Sequence, residues 1–329
     1  MSTTIFVTRQ IPDRGLKMLK KHKNITLDIY EKDCQIPRKE LLKRVKGVDI
    51  ILSILTEKID TEVFNAAGPQ LKLVANYAVG FDNIDLKEAT KRGIIVTNTP
   101  HPSVSESVAE HTIALMFALA HRIIETDAFV RAGKYKGWGP QLFLGTDLFG
   151  KTIGIIGTGR IGEGVIRRLH DGFNMNVLYT DLKQNAKLEK ETGALYRDLT
   201  QLLKESDIVS LHVPLLPATK GMIGARELKL MKKTAFLINT ARGPLIQEKP
   251  LIKALIKGEI AGAGLDVYEC EPFIACMAKE RAQLRQLNNV ILTPHTASAT
   301  LETRQAMSQV AAENILAFLK GEEPPNKAG

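Results

Sequence analysis

Three side chains of complementary chemistry follow short apolar runs late in the chain. Arg242 stands past Phe236-Leu237-Ile238-Asn239, Glu271 past Gly262-Ala263-Gly264-Leu265-Asp266, and His295 past Val290-Ile291-Leu292-Thr293. An arginine can hold a carboxylate and polarise a carbonyl. A histidine titrates near neutrality and can give up a proton. A neighbouring acid can fix its tautomer and favour the protonated form. Hydride transfer to a 2-oxo acid needs one of each. Taken singly, each residue also has an ordinary reading: Arg242 as a turn residue beside Gly243-Pro244, His295 as a loop cap, Glu271 as a solvated acid.

A hydride needs a carrier, and residues 151–181 have the form of a dinucleotide cradle. Ile153, Ile155 and Ile156 read as a buried strand. Gly157, Gly159 and Gly162 follow in G-x-G-x-x-G spacing, then Val165, Ile166 and Leu169 at helical spacing, then a second strand at 176–179. The first glycine allows the turn, the second lets a pyrophosphate approach, and the third lets the helix pack on the sheet. The helix start offers unpaired N–H groups and a positive dipole end. Asp181 ends the second strand, where it can bind the adenosine ribose and repel a 2′-phosphate, which favours NAD over NADP. A glycine triplet alone is weak; the strand, helix and acid around it carry the reading. His212-Val213-Pro214, past another apolar run, is placed to shape the loop under the cofactor. His111, inside a long helix, reads as structural or interfacial.

The elements that must position these residues alternate along the chain. Residues 4–8, 25–30, 49–55, 71–76 and 94–97 read as strands, with helices between them, one begun by Pro37. Residues 98–102, with two prolines, mark a linker. Residues 103–122 read as a long helix opened by a Ser103-x-x-Glu106 capping box, with Val108, Ile113, Leu115, Met116, Leu119 and Ile123 on its apolar face. Residues 133–147 are loop-like and carry Trp138, the only tryptophan. Beyond the cradle, 208–213, 235–239, 262–267 and 290–293 read as strands, 303–320 as a helix and 321–329 as a polar, mobile tail. This alternation argues for α/β architecture with a parallel, doubly wound sheet.

Bulk properties narrow the classes. A chain of 329 residues is enough for about two domains. No apolar run reaches the roughly 18 to 20 residues of a membrane span, and the N-terminus does not read as a signal peptide. Cys34, Cys270 and Cys276 are odd in number with no CxxC pair, so neither a disulfide framework nor a metal site is expected, and a reducing cytoplasm fits. The net charge of +9 is spread over residues such as Lys17, Lys20, Lys39 and Lys43, without interleaved aromatics. That pattern suits a solvated surface biased toward anionic ligands better than a nucleic-acid face.

Taken together, these segments resemble the D-isomer-specific 2-hydroxyacid dehydrogenases along nearly the whole chain. The likeness is carried by NYAVGFDNID at 76–85, SVAEHT at 107–112, the stretch 150–162, HVPL at 212–215, NTARGP at 239–244, the stretch 262–272 and LTPH at 292–295. Within the family the chain looks most like the glyoxylate and hydroxypyruvate reductase branch, through 76–80, the Trp138 loop and Ala241-Arg242-Gly243-Pro244. The resemblance implies two similar Rossmann or flavodoxin-like lobes with the active site in the cleft between them. Residues 1–100, completed by 298–329, would bind substrate; 101–297 would bind NAD and carry the dimerisation helix and loop. It also implies Arg242, Glu271 and His295 as the catalytic set. The amides around Ala78, Val79 and Gly80 would hold the substrate carboxylate, with Leu55 lining the pocket. Trp138 would close the substrate cleft of the neighbouring chain in a homodimer. Asp266 would take the nicotinamide carboxamide, and Arg160, Ile161, Thr219, Thr240, Ala241 and Ala297 would join the cofactor contacts.

The implied reaction is NAD(P)H-dependent reduction of a small 2-oxo acid, glyoxylate or hydroxypyruvate foremost, to the D-2-hydroxy acid. The alternatives are a sibling dehydrogenase for D-lactate, D-3-phosphoglycerate or formate, and a non-catalytic NAD-sensing regulator. Phosphite oxidisers carry lysine where Val79 stands. Most NADP-using reductases of the branch have Ser-Arg where this chain has Asp181-Leu182, and 273–287 lacks the usual proline-leucine segment.

Overall fold

The short runs rich in Ile, Val and Leu form two fully parallel sheets in the computed structural model, which describes residues 2–270 and 283–328. The chain divides into two units, Met1–Val104 with Ala299–Gly329, and Ser105–Ser298. In the first unit, β1 (Thr3–Val7), β2 (Ile25–Ile29), β3 (Ile50–Ile54), β4 (Leu73–Tyr77) and β5 (Ile95–Thr97) lie in the order β2-β1-β3-β4-β5. In the second, β6 (Thr152–Ile156), β7 (Asn176–Thr180), β8 (Leu195–Tyr196), β9 (Ile208–Leu211), β10 (Phe236–Asn239), β11 (Gly262–Leu265) and β12 (Val290–Leu292) lie in the order β12-β11-β10-β9-β6-β7-β8. The direction of winding reverses between β1 and β3, and again between β6 and β9. At each such point a crevice opens beyond the carboxyl ends of the strands.

Helices cover both faces of each sheet, so the central strands are buried on both sides and read as continuous rather than alternating apolar runs. In the second unit, Val209, Leu211 and Leu237 fill one core while Ile155, Ile208 and Ile238 fill the other. In the first unit, Phe6, Leu41, Ile51, Phe64 and Val74 share a core. The helix Leu301–Leu319 packs on Asp13–Lys20 in that unit. Gly15 permits this approach, since a Cβ there would stand 1.9 Å from the Ser308 carbonyl oxygen. Asp13–Lys20 begins after Pro12, which has no side chain to cap it; Gln305 and Ser308 accept from the Arg14 and Gly15 amides instead.

Four local expectations are corrected. The Ser103–Glu106 capping box does not form, because the helix Pro102–Ala120 already includes Ser103. The His101 imidazole accepts from the Ser103 amide at 3.2 Å, and Glu106 pairs with Arg168. Ile123 is not on that helix. Arg122 turns left-handed at φ 53°, and a separate helix, Ile123–Arg131, follows with no buried residue. The tail is tied down at its end: Asn326 accepts from the Asn98 amide and Ala328 donates to Val96, beside β5. Its anchor, Asn314, is buried and bonds both Asn98 and Asn326, a contact from the distant C-terminal helix that tail composition does not reveal. Finally, Cys270 is disulfide-bonded, whereas Cys34 is free and exposed. An odd cysteine count argues against a full framework of pairs but leaves room for one.

Candidate active site

The glycine turn after β6 has the geometry its spacing predicts. Gly157 sits at φ 98°, and a Cβ there would lie 2.9 Å from the His212 backbone. A Cβ on Gly162 would stand 2.1 Å from the Gly157 carbonyl oxygen, so the helix Arg160–Phe173 could not start so close to the turn with any other residue. Gly159 is different: a Cβ there would meet nothing within 4 Å. Gly159 is also the N-cap and contributes no side-chain hydrogen bond to the first turn. Open space above unfilled helix N–H groups is what an incoming pyrophosphate requires, so these residues fit a dinucleotide. Arg160 is exposed and Ile161 half-buried at the same helix start.

Asp181 faces this turn. One carboxylate oxygen accepts from the Thr158 amide at 2.7 Å and the Thr158 hydroxyl at 2.8 Å; the other accepts from the Leu182 amide at 2.7 Å. Burial alone would raise this carboxyl, but the bonds from Thr158 and Leu182 outweigh it and hold it below the usual aspartate range. Asp181 is therefore charged at neutral pH. Thr158, which sequence reasoning passed over, is its anchor.

His212 follows β9 and shares a 2.9 Å hydrogen bond with Ser210 through Nε2. Burial lowers its imidazole to about 3, so it is neutral and cannot serve as a cation near pH 7. Val213 packs against the core below, and Thr219 closes the following loop by donating to the Pro214 carbonyl at 2.7 Å. Thr240 is buried, 2.8 Å from the Thr112 hydroxyl.

β10, β11 and β12 lie side by side in register, Asn239 beside Leu265 and Leu265 beside Leu292. Their carboxyl ends carry Arg242, Asp266 and His295. The ends of β10 and β12 lie about 10 Å apart, so the turns that leave them carry Arg242 and His295 from neighbouring points of one sheet edge. The Arg242 turn is built by Asn239, whose side chain accepts from the Ala241 amide at 3.0 Å and donates to the Arg242 carbonyl at 2.9 Å. An asparagine two residues before an alanine amide is an Asx-turn signal that could have been read in advance. Gly243 then lets this turn lie against 268–269, because a Cβ there would be 1.7 Å from the Tyr268 carbonyl oxygen.

His295 has a backbone φ of 55°, a region that non-glycine residues seldom occupy. The strain is held by Asp266. Its carbonyl accepts from the His295 amide at 2.9 Å, and its fully buried carboxylate accepts from the Thr293 hydroxyl and the Thr296 and Ala297 amides. The Ala297 carbonyl in turn accepts from Ser107. His111 donates to or accepts from Thr293 at 3.1 Å, which makes it structural to the same loop. Asp266 thus organises the loop that carries His295. Glu271 lies outside the described residues, as do Cys276 and most of 273–287.

In the first unit, Leu55 follows β3 and Ala78, Val79 and Gly80 follow β4. The carbonyls of this last turn are tied inward: Ala78 accepts from the Thr99 amide, Val79 from Asn98 and Gly80 from Asn76. Among the described residues, the Val79 and Gly80 amides donate to no protein acceptor. The Ala78 amide is taken by the Asn76 carbonyl at 2.8 Å, so the two amides that follow it, with their carbonyls bound, are the ones suited to an anion. Trp138 is 83% exposed in its loop, with Leu144 and Phe149 also exposed nearby in sequence.

Among the described residues there is no group of His, Cys, Asp and Glu that could hold a metal ion, and no helix long and apolar enough to cross a membrane.

Comparison with known proteins gives consistent matches. Residues 113–297 match the family model "D-isomer specific 2-hydroxyacid dehydrogenase, NAD binding domain". A glyoxylate reductase of Pyrococcus furiosus is 49% identical over 99% of this chain and 95% of its own length. The crystal structure of the TT0316 protein of Thermus thermophilus is 40% identical and superposes with a TM-score of 0.90 over 99% of this chain and 100% of that one. A D-lactate dehydrogenase of Aquifex aeolicus, solved with NAD and lactic acid, is 34% identical with a TM-score of 0.84 over 97% and 96% of the two chains.

Proposed function

Because the chain belongs to the D-isomer specific 2-hydroxyacid dehydrogenases, we propose that it reduces a small 2-oxo acid, glyoxylate or hydroxypyruvate, to the 2-hydroxy acid with NADH. Held in the glycine-turn seat, a nicotinamide cofactor would supply the hydride that the carbonyl carbon receives. Arg242 binds the carboxylate and draws electron density onto the carbonyl oxygen. His295 delivers the proton to that oxygen, and Glu271 orients the imidazole. Leu55 and the Ala78, Val79 and Gly80 turn seat the substrate. Gly157, Gly159, Arg160, Ile161 and Gly162 hold the pyrophosphate, and Asp181 the ribose. His212, Val213, Pro214, Thr219, Thr240, Ala241, Asp266 and Ala297 line the cofactor seat.

The observation that carries this reading is His295, strained to φ 55° and locked by Asp266 at the strand end two away from Arg242. What sets His295 apart from the other left-handed residues is the buried carboxylate that holds its loop at a strand end beside the cofactor lobe's crevice. The test is a panel of glyoxylate, hydroxypyruvate, pyruvate and 3-phosphohydroxypyruvate with NADH and NADPH. The expected result is the highest kcat/KM with one of the first two and NADH; no turnover of any 2-oxo acid would refute the assignment. The glyoxylate reductase likeness at 49% identity supports this order over the lactate enzyme at 34%.

The active form is a homodimer. Support for the dimer is the run of exposed apolar side chains along 123–144: Ile123, Ile124, Val130, Tyr135, Trp138 and Leu144 are each at least 48% exposed. An apolar set of this extent seeks a cover.

A further inference from the structure

Glu57 is 2% exposed in the first unit, at the crevice where winding reverses between β1 and β3. The chemistry proposed above makes no use of it. One carboxyl oxygen accepts from the Thr8 hydroxyl at 2.8 Å and the Ile54 amide at 3.2 Å; the other accepts from the Thr56 hydroxyl at 2.6 Å. Thr8 follows β1, and Ile54 ends β3, so the carboxyl ties two strand ends together. The Glu57 carbonyl accepts from Asn83 Nδ2 at 2.9 Å. Asn83 Oδ1 faces Asn76 Nδ2 at 3.2 Å, and Asn76 Nδ2 also donates to the Gly80 carbonyl at 3.0 Å. Ser53 donates to Asn76 Oδ1 at 3.0 Å. The Ile59 amide donates to the Asn83 carbonyl at 2.9 Å and closes the loop.

Thr8, Ser53, Asn76 and Asn83 are all buried. A buried carboxyl and two buried primary amides are costly unless fully bonded, and apolar side chains would pack the same space more cheaply. What the polar set achieves is fixed direction. It locks the loop 54–59 to the turn 78–83 and holds the Gly80 carbonyl, which fixes the far end of the turn whose Ala78 and Val79 carbonyls, bound by the Thr99 amide and Asn98, set the directions of the Val79 and Gly80 N–H groups. We infer that Glu57, Asn76 and Asn83 are positioning residues for the substrate carboxylate, acting by holding in place the turn that carries the Val79 and Gly80 amides. This inference rests on the reading of that turn as the carboxylate seat.

The test pairs KM for glyoxylate with the Kd of oxalate, a planar non-reacting analogue, measured calorimetrically with NADH present. Glu57→Ala and Asn83→Ala should raise both constants about 10- to 100-fold, the scale of a roughly 1 Å misplacement, with NADH affinity unchanged and kcat within about threefold. Glu57→Gln keeps an acceptor toward Thr8 and Ile54 and can donate to the Thr56 hydroxyl, so it should return both constants to within about threefold of wild type. Ser53→Ala removes a single hydroxyl and should raise both constants about three- to tenfold, which keeps the test readable if the larger truncations do not fold. Unchanged constants in the folded variants, or a fall in kcat with both constants unmoved, would overturn the positioning role. A wild-type protein that neither binds oxalate nor reduces any 2-oxo acid would overturn the functional reading as well.

Discussion

Exchange of Asp181 for asparagine should erase most of the preference for NADH over NADPH. A carboxylate has about four lone-pair sites. Three are taken by the Thr158 amide, the Thr158 hydroxyl and the Leu182 amide. About one remains for a ribose hydroxyl, so attraction to the ribose is modest, while the full negative charge persists. Discrimination must therefore come mainly from repulsion of a 2′-phosphate. Two unit charges 4 Å apart interact by about 1 kcal/mol in water and about 4 kcal/mol at the effective dielectric of a protein surface. Asp181 is only half-buried, so roughly 2 to 3 kcal/mol is reasonable, a preference of about 30- to 150-fold. Asparagine removes the charge but can still accept from Thr158. It loses the Leu182 bond, so NADH itself should suffer about tenfold in kcat/KM. The assay is kcat/KM for both cofactors at fixed glyoxylate, in wild type and Asp181→Asn, at low and high salt. The ratio should fall to within a few fold of one, and added salt should compress the wild-type ratio alone. A wild-type preference for NADPH, or a ratio that Asp181→Asn leaves unmoved, would refute the reasoning, and Lys183 would become the residue to test.

His295→Ala should lower kcat by about 10² to 10⁴ while NADH still binds, as fluorescence titration would show; a smaller loss would remove it as the proton donor. His295→Gly should cost the same activity with a Tm above that of His295→Ala, since glycine accepts a φ of 55° freely. Trp138→Ala should reorder preference among 2-oxo acids with NADH affinity nearly intact; an unchanged panel in a protein that sedimentation shows to be a dimer would make Trp138 a packing residue. Burial raises the Glu57 carboxyl above its usual range, with the Thr56, Thr8 and Ile54 bonds offsetting part of the shift. The folded state thus holds this proton more tightly, and its contribution to stability, complete below the unfolded value of about 4.3, is lost as pH rises through the folded value. Tm scans across that window should show Glu57→Gln gaining on wild type as pH rises; parallel curves would contradict the shift.

Several features of the candidate site were legible because their constraint is local. The glycine turn, Asp181 and the strand ends bearing Arg242 and His295 each depend on a few consecutive residues and on strand-to-helix alternation. The parallel sheets followed from the same alternation. Local signals misled where a distant group supplied the missing bond. Ser103 looked like a cap, but Pro102 starts the helix and His101 caps it. The apolar period ran through Ile123, yet the left-handed Arg122 breaks the helix before it.

Residue type and spacing were enough to nominate an arginine, an acid and a histidine, and to nominate Gly157–Gly162 as a dinucleotide seat, because glycine geometry and strand ends are properties of short segments. Chain folding alone decided how those groups are held. The strain at His295 depends on Asp266, 29 positions earlier, through a carboxylate buried to 0% exposure. The directions of the Val79 and Gly80 amides depend on Thr99 and Asn98, which bind the Ala78 and Val79 carbonyls, and the end of that turn depends on Asn76, itself bonded to Ser53 and Asn83. Such polar networks have no period and no spacing. Their members come together only because buried donors and acceptors must be satisfied in three dimensions, and the sheet decides which of them meet.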